Sequence, residues 1–216
     1  MPLDKKTLLD AVKEAKAKSG EKKFIQSVEL ILDIKEIDMK SPEGKIQQVI
    51  ELPHVTGKPN KILVVASGEL ALKARKAKVD KVMEKADLEG VTGKKKELRK
   101  LANNYDVFLS EAPLMPLVGR TFGPVLGPRG KLPVPVPPNA DITGLIMKYR
   151  KTVVVRMRNQ PIIQCSVGTV DMSEKDLVDN IQAVLRVLEG KLKRGFKNIK
   201  FAFIKTSMGK PVKIKP

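Results

Sequence analysis

The chain has 216 residues, 42% hydrophobic and 31% charged, which is enough to build one large domain or two modest ones with buried cores and too apolar for a disordered chain. Its 42 basic residues against 24 acidic ones give a net charge of +18, which points to a polyanionic partner. A single cysteine, Cys165, excludes an intrachain disulfide and a multi-cysteine metal site and suits a reducing cytoplasm; there is no apolar run long enough for a membrane span, and Met1-Pro2 leads straight into a charged amphipathic pattern unlike a secretory signal.

Asp4 is placed to cap a helix whose Leu8, Leu9, Val12 and Ala15 share one face and which should stop near Gly20. From Phe24 the period drops to two: Val28, Leu30, Leu32 and Ile34 point one way, Ser27, Glu29 and Asp33 the other, as in a strand with one polar face. A polar loop from Lys35 to Gly44, a second strand marked by Ile46, Ile50 and Leu52, and the irregular segment Leu52 to Lys58 follow. Ile62 to Ala66 is continuously apolar, the pattern of a strand covered on both sides. A helix over Glu69 to Lys76, a short run near Val79 to Met83, a helix from Lys95 to Asn103 and a strand at Tyr105 to Leu109 make a parallel, doubly covered sheet the expected arrangement.

Gly119 to Pro138, GRTFGPVLGPRGKLPVPVPP, is so dense in glycine and proline that an ordered loop is expected there, not a helix or a central strand. A helical turn carrying Leu145, Ile146 and Tyr149 precedes strands at Thr152 to Met157 and Ile162 to Val167. Ser173 with Asp176 reads as a capping box opening a long helix, with Leu177, Ile181, Val184, Leu185 and Leu188 on its apolar face and Gly190 at its end. The chain closes on a strand from Phe201, a break at Thr206-Ser207-Met208-Gly209, and an alternating apolar and basic tail over Pro211 to Lys215.

The charge is uneven along this order. Residues 1–57 carry 10 basic and 10 acidic residues, 58–152 carry 19 and 9, and 153–216 carry 13 and 5; beyond Gly190 nine basic residues meet no acidic one. The densest excess therefore surrounds the turn at Thr206 to Gly209.

Catalytic readings fail on residue types. In GPRGK a phosphate-loop motif would need glycine where Val125 stands and a hydroxyl where Leu132 stands, and no G-x-G-x-x-G follows the Ile62 strand. His54, the only histidine, sits in a Pro/Gly junction with no nucleophile paired to it, and Cys165 lies inside a strand pattern. No carboxylate pair has a catalytic spacing, so no enzyme, cofactor or metal is expected. Two polar surfaces remain: Lys22, Lys23 and Phe24 with Ser27 and Glu29, and Thr206, Ser207, Met208 and Gly209. Hydroxyls and backbone amides there suit phosphate and ribose, with Gly209 supplying an unusual φ or permitting close approach. With no Trp, six Phe and two Tyr, a broad aromatic stacking platform is not expected. Two other readings stay open: a nucleotide-binding or enzymatic parallel sheet with Arg129 and Lys131 as phosphate ligands, and unspecific basic packaging of nucleic acid.

KKFIQSVEL (22–30), LPHVTGK (52–58), GPVLGPRGKLP (123–133), DLVDNIQAVL (176–185) and TSMGKPVKI (206–214) together resemble the large-ribosomal-subunit protein L-one family, with the lysine-rich character of its archaeal branch. The resemblance implies an α/β protein of two domains joined by a hinge. Domain I, an α+β domain with a split β-α-β-type sheet, would come from residues 1–57 and 153–216; domain II, a three-layer Rossmann-like α/β domain, would be inserted as residues 58–152. The hinge would lie at Gly57, Lys58, Lys151 and Thr152. The resemblance further implies that Lys23, Phe24, Ser27, Glu29, Ser207, Met208 and Gly209, with Thr206 beside them, make the main rRNA site. The family often carries Thr at the positions of Ser27 and Ser207 and His at that of Cys165. Implied partners are large-subunit rRNA at the mobile stalk, exit-site tRNA during release of deacylated tRNA, and the protein's own mRNA, which it would repress; it would act in the cytoplasm on the ribosome and be a monomer when free.

Overall fold

The computed structural model describes residues 4–39, 41, 44, 46–157 and 159–214. They fall into two compact units, one drawn from residues 1–59 and 151–216, the other from 60–150. Of the expected polar loop from Lys35 to Gly44, residues 40, 42 and 43 lie outside the described set, as do Met1, Pro2 and Lys215.

The first unit begins with α1 (Lys5–Ala17), which buries Leu8, Ala11, Val12 and Ala15; Asp4 occupies the N-cap position without a side-chain hydrogen bond. β1 (Ser27–Ile34) alternates half-buried and buried residues along its whole length, as its period of two requires. β2 (Gln47–Glu51) follows.

The inserted unit runs β3 (Ile62–Val65), α2 (Gly68–Lys76), β4 (Lys81–Met83), α3 (Lys85–Val91), α4 (Lys95–Asn104), β5 (Val107–Glu111), α5 (Met115–Leu126), β6 (Val134–Val136) and α6 (Ile142–Arg150). Its strands form one parallel sheet in the order β4-β3-β5-β6. All four residues of β3 are buried because both faces are covered. Leu63, Val65 and Phe108 pack with Leu88, Leu98 and Phe122 of α3, α4 and α5. Ile62, Val64 and Leu109 pack with Leu70, Ala74, Ile142 and Ile146 of α2 and α6. The result is a three-layer α/β unit.

Here the structure corrects the expectation of a loop from Gly119 to Pro138. Residues 115–126 are helical, and 134–136 form a strand. Val118, Thr121, Phe122 and Leu126 recur at helical spacing and are buried, with the Phe122 ring 5.7 Å from that of Phe108. The glycines 119 and 123 lie where an added Cβ would meet nothing within 4 Å, so they cost propensity but not packing. Pro124 stands in the last turn, where a missing N–H removes a single bond. Pro135 is tolerated because β6 is an edge strand, paired only with β5. The short α3 also escapes sequence reading; it is capped by Glu84 and Asp87, each side chain taking the other's backbone N–H.

Back in the first unit, β7 (Thr152–Arg156) pairs antiparallel with β2. β8 (Ile162–Thr169), α7 (Glu174–Glu189), β9 (Ile199–Thr206) and β10 (Val212–Ile214) complete the chain. Ser173 Oγ accepts from Asp176 N–H at 3.1 Å and starts α7. The main sheet is antiparallel, ordered β10-β9-β1-β8, so the strand from the N-terminal segment lies between two from the C-terminal segment. The core fills one face only: Val28, Leu30, Leu32, Ile163, Val167, Ala202, Ile204 and Val212 meet Leu8 and Val12 of α1 and Leu177, Ile181 and Leu188 of α7. The buried Asn180 of α7 fastens the segment after β2 to this core, donating to the carbonyls of Val167 (2.8 Å) and His54 (3.2 Å) and accepting from His54 N–H (3.0 Å).

Candidate nucleic-acid interface

The interleaving of β1 between β9 and β8 brings the two polar stretches named from the sequence together. β1 pairs with β9 from Val28↔Thr206 onward. Beyond that register Ser207 N–H donates to the Ser27 carbonyl (3.0 Å), and the Ser27 N–H donates to Ser207 Oγ (3.1 Å). The Ser207 hydroxyl also donates to the Ser27 carbonyl at 3.4 Å, so one accepted and one longer donated bond fix its position.

Sequence reading missed the residue that organises the site. Gln26, 4% exposed, donates from Nε2 to the carbonyls of Ser19 (3.0 Å) and Gly20 (3.2 Å), which end the turn after α1. Its Oε1 accepts from Met208 N–H at 3.0 Å, and its main-chain carbonyl accepts from Val170 N–H at 3.0 Å. One buried amide therefore ties three segments, with every polar atom of the side chain used. Its only signal in the sequence is a polar residue at an inward position of an alternating strand.

Gly209 has an explanation different from the first one expected. Its φ is not positive, unlike that of Gly20 (φ 63). What it supplies is space: an added Cβ would run into Thr206 Oγ1 and stand 3.3 Å from the Lys18 carbonyl and 3.4 Å from Ser19 Cα. Gly209 N–H closes the turn on the Thr206 carbonyl at 3.1 Å. Thr206 itself is fully buried, and its hydroxyl has no hydrogen-bond partner among the described residues. Its side chain supports the turn from beneath.

The groups presented outward are Met208, 65% exposed, Phe24, 52% exposed, the equally exposed Ile25, and Lys22 and Lys23, which make no ion pair among the described residues. Lys22, Lys23, Phe24, Ile25, Gln26, Ser19, Gly20, Val170 and Asp171 line a groove of about 320 Å³. Glu29 lies further along β1 opposite Lys205, and its Oε2 accepts from Gln164 Nε2 at 2.9 Å. Burial and then the charge of Glu29 push the Cys165 thiol up to about 12, so it is no nucleophile near neutrality.

The four residues expected at the hinge are all anchored in the first unit. Gly57 is packed so closely on Thr169 that a Cβ would meet its Oγ1. Lys58 Nζ donates to the Ile25 carbonyl (3.1 Å), the Lys151 carbonyl accepts from Leu52 N–H (3.0 Å), and Thr152 pairs with Glu51. The chain crosses between units at 59–60 and 150–151.

The inserted unit offers little to a nucleotide. At the carboxyl ends of its parallel strands, where such sheets bind phosphate, Glu111 Oε2 accepts from Ser67 N–H (2.8 Å) and Ser67 Oγ (2.7 Å) at the start of α2. A carboxylate of the protein fills the anion position. Lys131 is likewise engaged, donating to the Ala102 (3.1 Å) and Tyr105 (2.7 Å) carbonyls at the end of α4. Among the described residues no group of acidic, histidine or cysteine side chains has the makings of a metal site, and no helix is long and apolar enough to cross a membrane.

The candidate face is basic and built from hydroxyls, main-chain amides and exposed apolar side chains, on a protein of the α/β class. The profile of the ribosomal protein L1p/L10e family matches residues 12–210, and the chain belongs to that family, a structural and non-enzymatic one. It is 44% identical over 216 residues to large ribosomal subunit protein uL1 of Pyrococcus abyssi, spanning 100% of this chain and 98% of that one. Against the protein of the same name from Hyperthermus butylicus it is 46% identical over 95% of this chain and 94% of the other, and against that from Methanocaldococcus jannaschii 44% over 99% and 97%. These relatives bear out the archaeal character read from the sequence.

Proposed function

We propose that this protein is a structural constituent of the large ribosomal subunit, in the cytoplasm, and holds large-subunit rRNA at the mobile stalk through the face joining β1 to the β9–β10 turn. Lys23, Phe24, Ser27, Glu29, Ser207, Met208 and Gly209 are its contact or contact-supporting residues, with Thr206 beneath them. The observation that carries this reading is the Gln26 amide, which ties the Met208 turn to the Ser19–Gly20 turn that leads into the Lys22–Phe24 segment. Preorganised hydroxyls and amides fix register on ribose and phosphate, and the acid-free tail beyond Gly190 supplies charge. By the same reading the protein assists release of deacylated tRNA from the exit site, represses its own mRNA through a mimic of the rRNA site, and is a monomer when free. The two domains pivot at a hinge beside Gly57, Lys58, Lys151 and Thr152, where two chain crossings leave each domain free to fold alone.

The test is binding of a stalk rRNA fragment by Ser207→Ala and Met208→Ala, each expected to weaken the complex by ~1–3 kcal/mol. Engaging ~5 phosphates sets the slope of log K against log salt near −4. Two variants that bind like wild type would remove the site, and a flat salt dependence would remove the charge term.

A further inference from the structure

The main sheet of the first unit leaves one face open, and among the polar residues of that face runs an apolar strip. An antiparallel sheet with a solvated side ordinarily alternates apolar inward and polar outward. β9 does not: in Ile199-Lys200-Phe201-Ala202-Phe203-Ile204, Ala202 and Ile204 enter the core while Phe201 and Phe203 stand on the other side, outside it. Phe203 lies opposite Ile31 of β1, and Phe201 opposite Asp33. The two rings are 6.2 Å apart at 55°. Ile162 of β8, 40% exposed, continues the strip beyond Asp33. Cations frame it. Lys213 Nζ of β10 stands 3.8 Å from the centre of the Phe201 ring, Lys200 Nζ stands 5.4 Å from it, and Lys205 is the next outward residue of β9. The acids on this face are Asp33 and Glu29, and Glu29 is held by Gln164.

We propose that this open face binds single-stranded RNA, with bases stacked on Phe203 and Phe201 and phosphates met by Lys200, Lys205 and Lys213. Four strands with α1 and α7 behind them and aromatic rings in front form a stacking surface that accepts any base. Three ammonium groups at the rim of an apolar strip select a polyanion over an apolar protein segment. Lys213 covers the Phe201 ring in the free protein and moves to a phosphate as a base takes its place; cation and base compete for the same ring face. The strip shares β1 and β9 with the Ser207 turn, so a strand leaving a folded RNA element there runs along the sheet for roughly 13 Å, four residues at the strand rise, before it reaches Phe203. Only the class of ligand rests on the reading of the turn.

The chain has no Trp, so Phe203→Trp introduces a single indole reporter at the strip. Its emission should be quenched by a short oligocytidine RNA and not by an RNA duplex of equal length at the same salt. In the unlabelled protein, Phe203→Ala and Phe203→Leu should each weaken binding of fluorescein-labelled oligocytidine by roughly 10-fold, the loss of one stacked base. Phe203→Leu keeps the apolar bulk, and an unchanged melting temperature for it shows that the loss is not one of folding. Met208→Ala should weaken the folded rRNA fragment and leave the oligocytidine affinity alone, which separates failure of this proposal from failure of the turn. Unquenched emission, equal competition by the duplex, or Phe203→Leu binding oligocytidine like wild type would overturn it.

Discussion

Gly209→Ala puts one methyl group where the turn has no room. The residue does not need a positive φ, so alanine meets no backbone penalty, and the substitution alone would gain about 0.4–1 kcal/mol by restricting the unfolded chain. Against this the new Cβ overlaps Thr206 Oγ1 and presses on the Lys18 carbonyl at 3.3 Å and Ser19 Cα at 3.4 Å. Thr206 is fully buried and cannot swing away, so relief must come from the turn itself. Overpacking of this kind costs about 1–3 kcal/mol. The net expectation is destabilisation of about 1–2 kcal/mol, together with displacement of Met208 N–H from Gln26 and weaker RNA binding. A double-mutant cycle isolates the cause: Thr206→Ala removes the hydroxyl in the way, so Thr206→Ala/Gly209→Ala should be more stable than the sum of the single changes by about 1 kcal/mol or more. Urea titration of the four proteins measures it. A Gly209→Ala protein as stable as wild type, or strictly additive effects, would refute the packing explanation.

Three more expectations follow from the same geometry. Thr206→Val swaps an unpartnered buried hydroxyl for a methyl of the same shape; stability should rise by about 1 kcal/mol with rRNA binding unchanged, and a loss of binding would make Thr206 a direct contact. Gln26→Ala strands Met208 N–H and two carbonyls of the turn after α1, so chemical denaturation should report a loss of about 2–4 kcal/mol, with rRNA binding falling in parallel. Asp179 is held below the usual carboxylate range, first by the hydrogen bond from Lys5 and more weakly by His54. A lowered folded value means that its stabilisation is present above the unfolded carboxylate pKa of about 3.9 and fades as pH falls through the folded one. Asp179→Asn should therefore melt slightly below wild type at neutral pH and together with it in strong acid; a gap that persists in acid would assign the effect to something other than charge.

The sequence was most legible where one period dominated. The strand at Val28 to Ile34, the helix at Leu177 to Leu188 and the run at Ile62 announce both element and face, because burial on one side, or on both, leaves a repeat. It was least legible where small residues hide that repeat. Between Gly119 and Leu126 the glycines are on the exposed side, so propensity argued for a loop while Val118, Phe122 and Leu126 were forming a helix. The candidate site divides the same way. Its outward residues were visible as hydroxyls and lysines at both ends of the chain, and the resemblance supplied their proximity. Gln26 was not, because a single inward polar residue does not say that it joins a turn just before it to one 182 residues away. Gly209 was visible but left between two readings: a missing side chain marks either a φ or a close approach, and only the position of Thr206 Oγ1 decides between them. Phe201 and Phe203 look like core residues in the sequence, and the pairing that puts them on an open face is a tertiary fact.

The most direct measurement is a competition at physiological salt, with the full chain holding a labelled stalk rRNA fragment and challenged by unlabelled duplex DNA or by the same rRNA. A specific composite face predicts that the rRNA displaces the label at concentrations at least about a thousandfold lower than the DNA, the low end of the gap between specific and unspecific binding, and that Met208→Ala narrows that gap. Equal displacement by the two competitors, unmoved by Met208→Ala, would contradict it and reduce the protein to a basic surface.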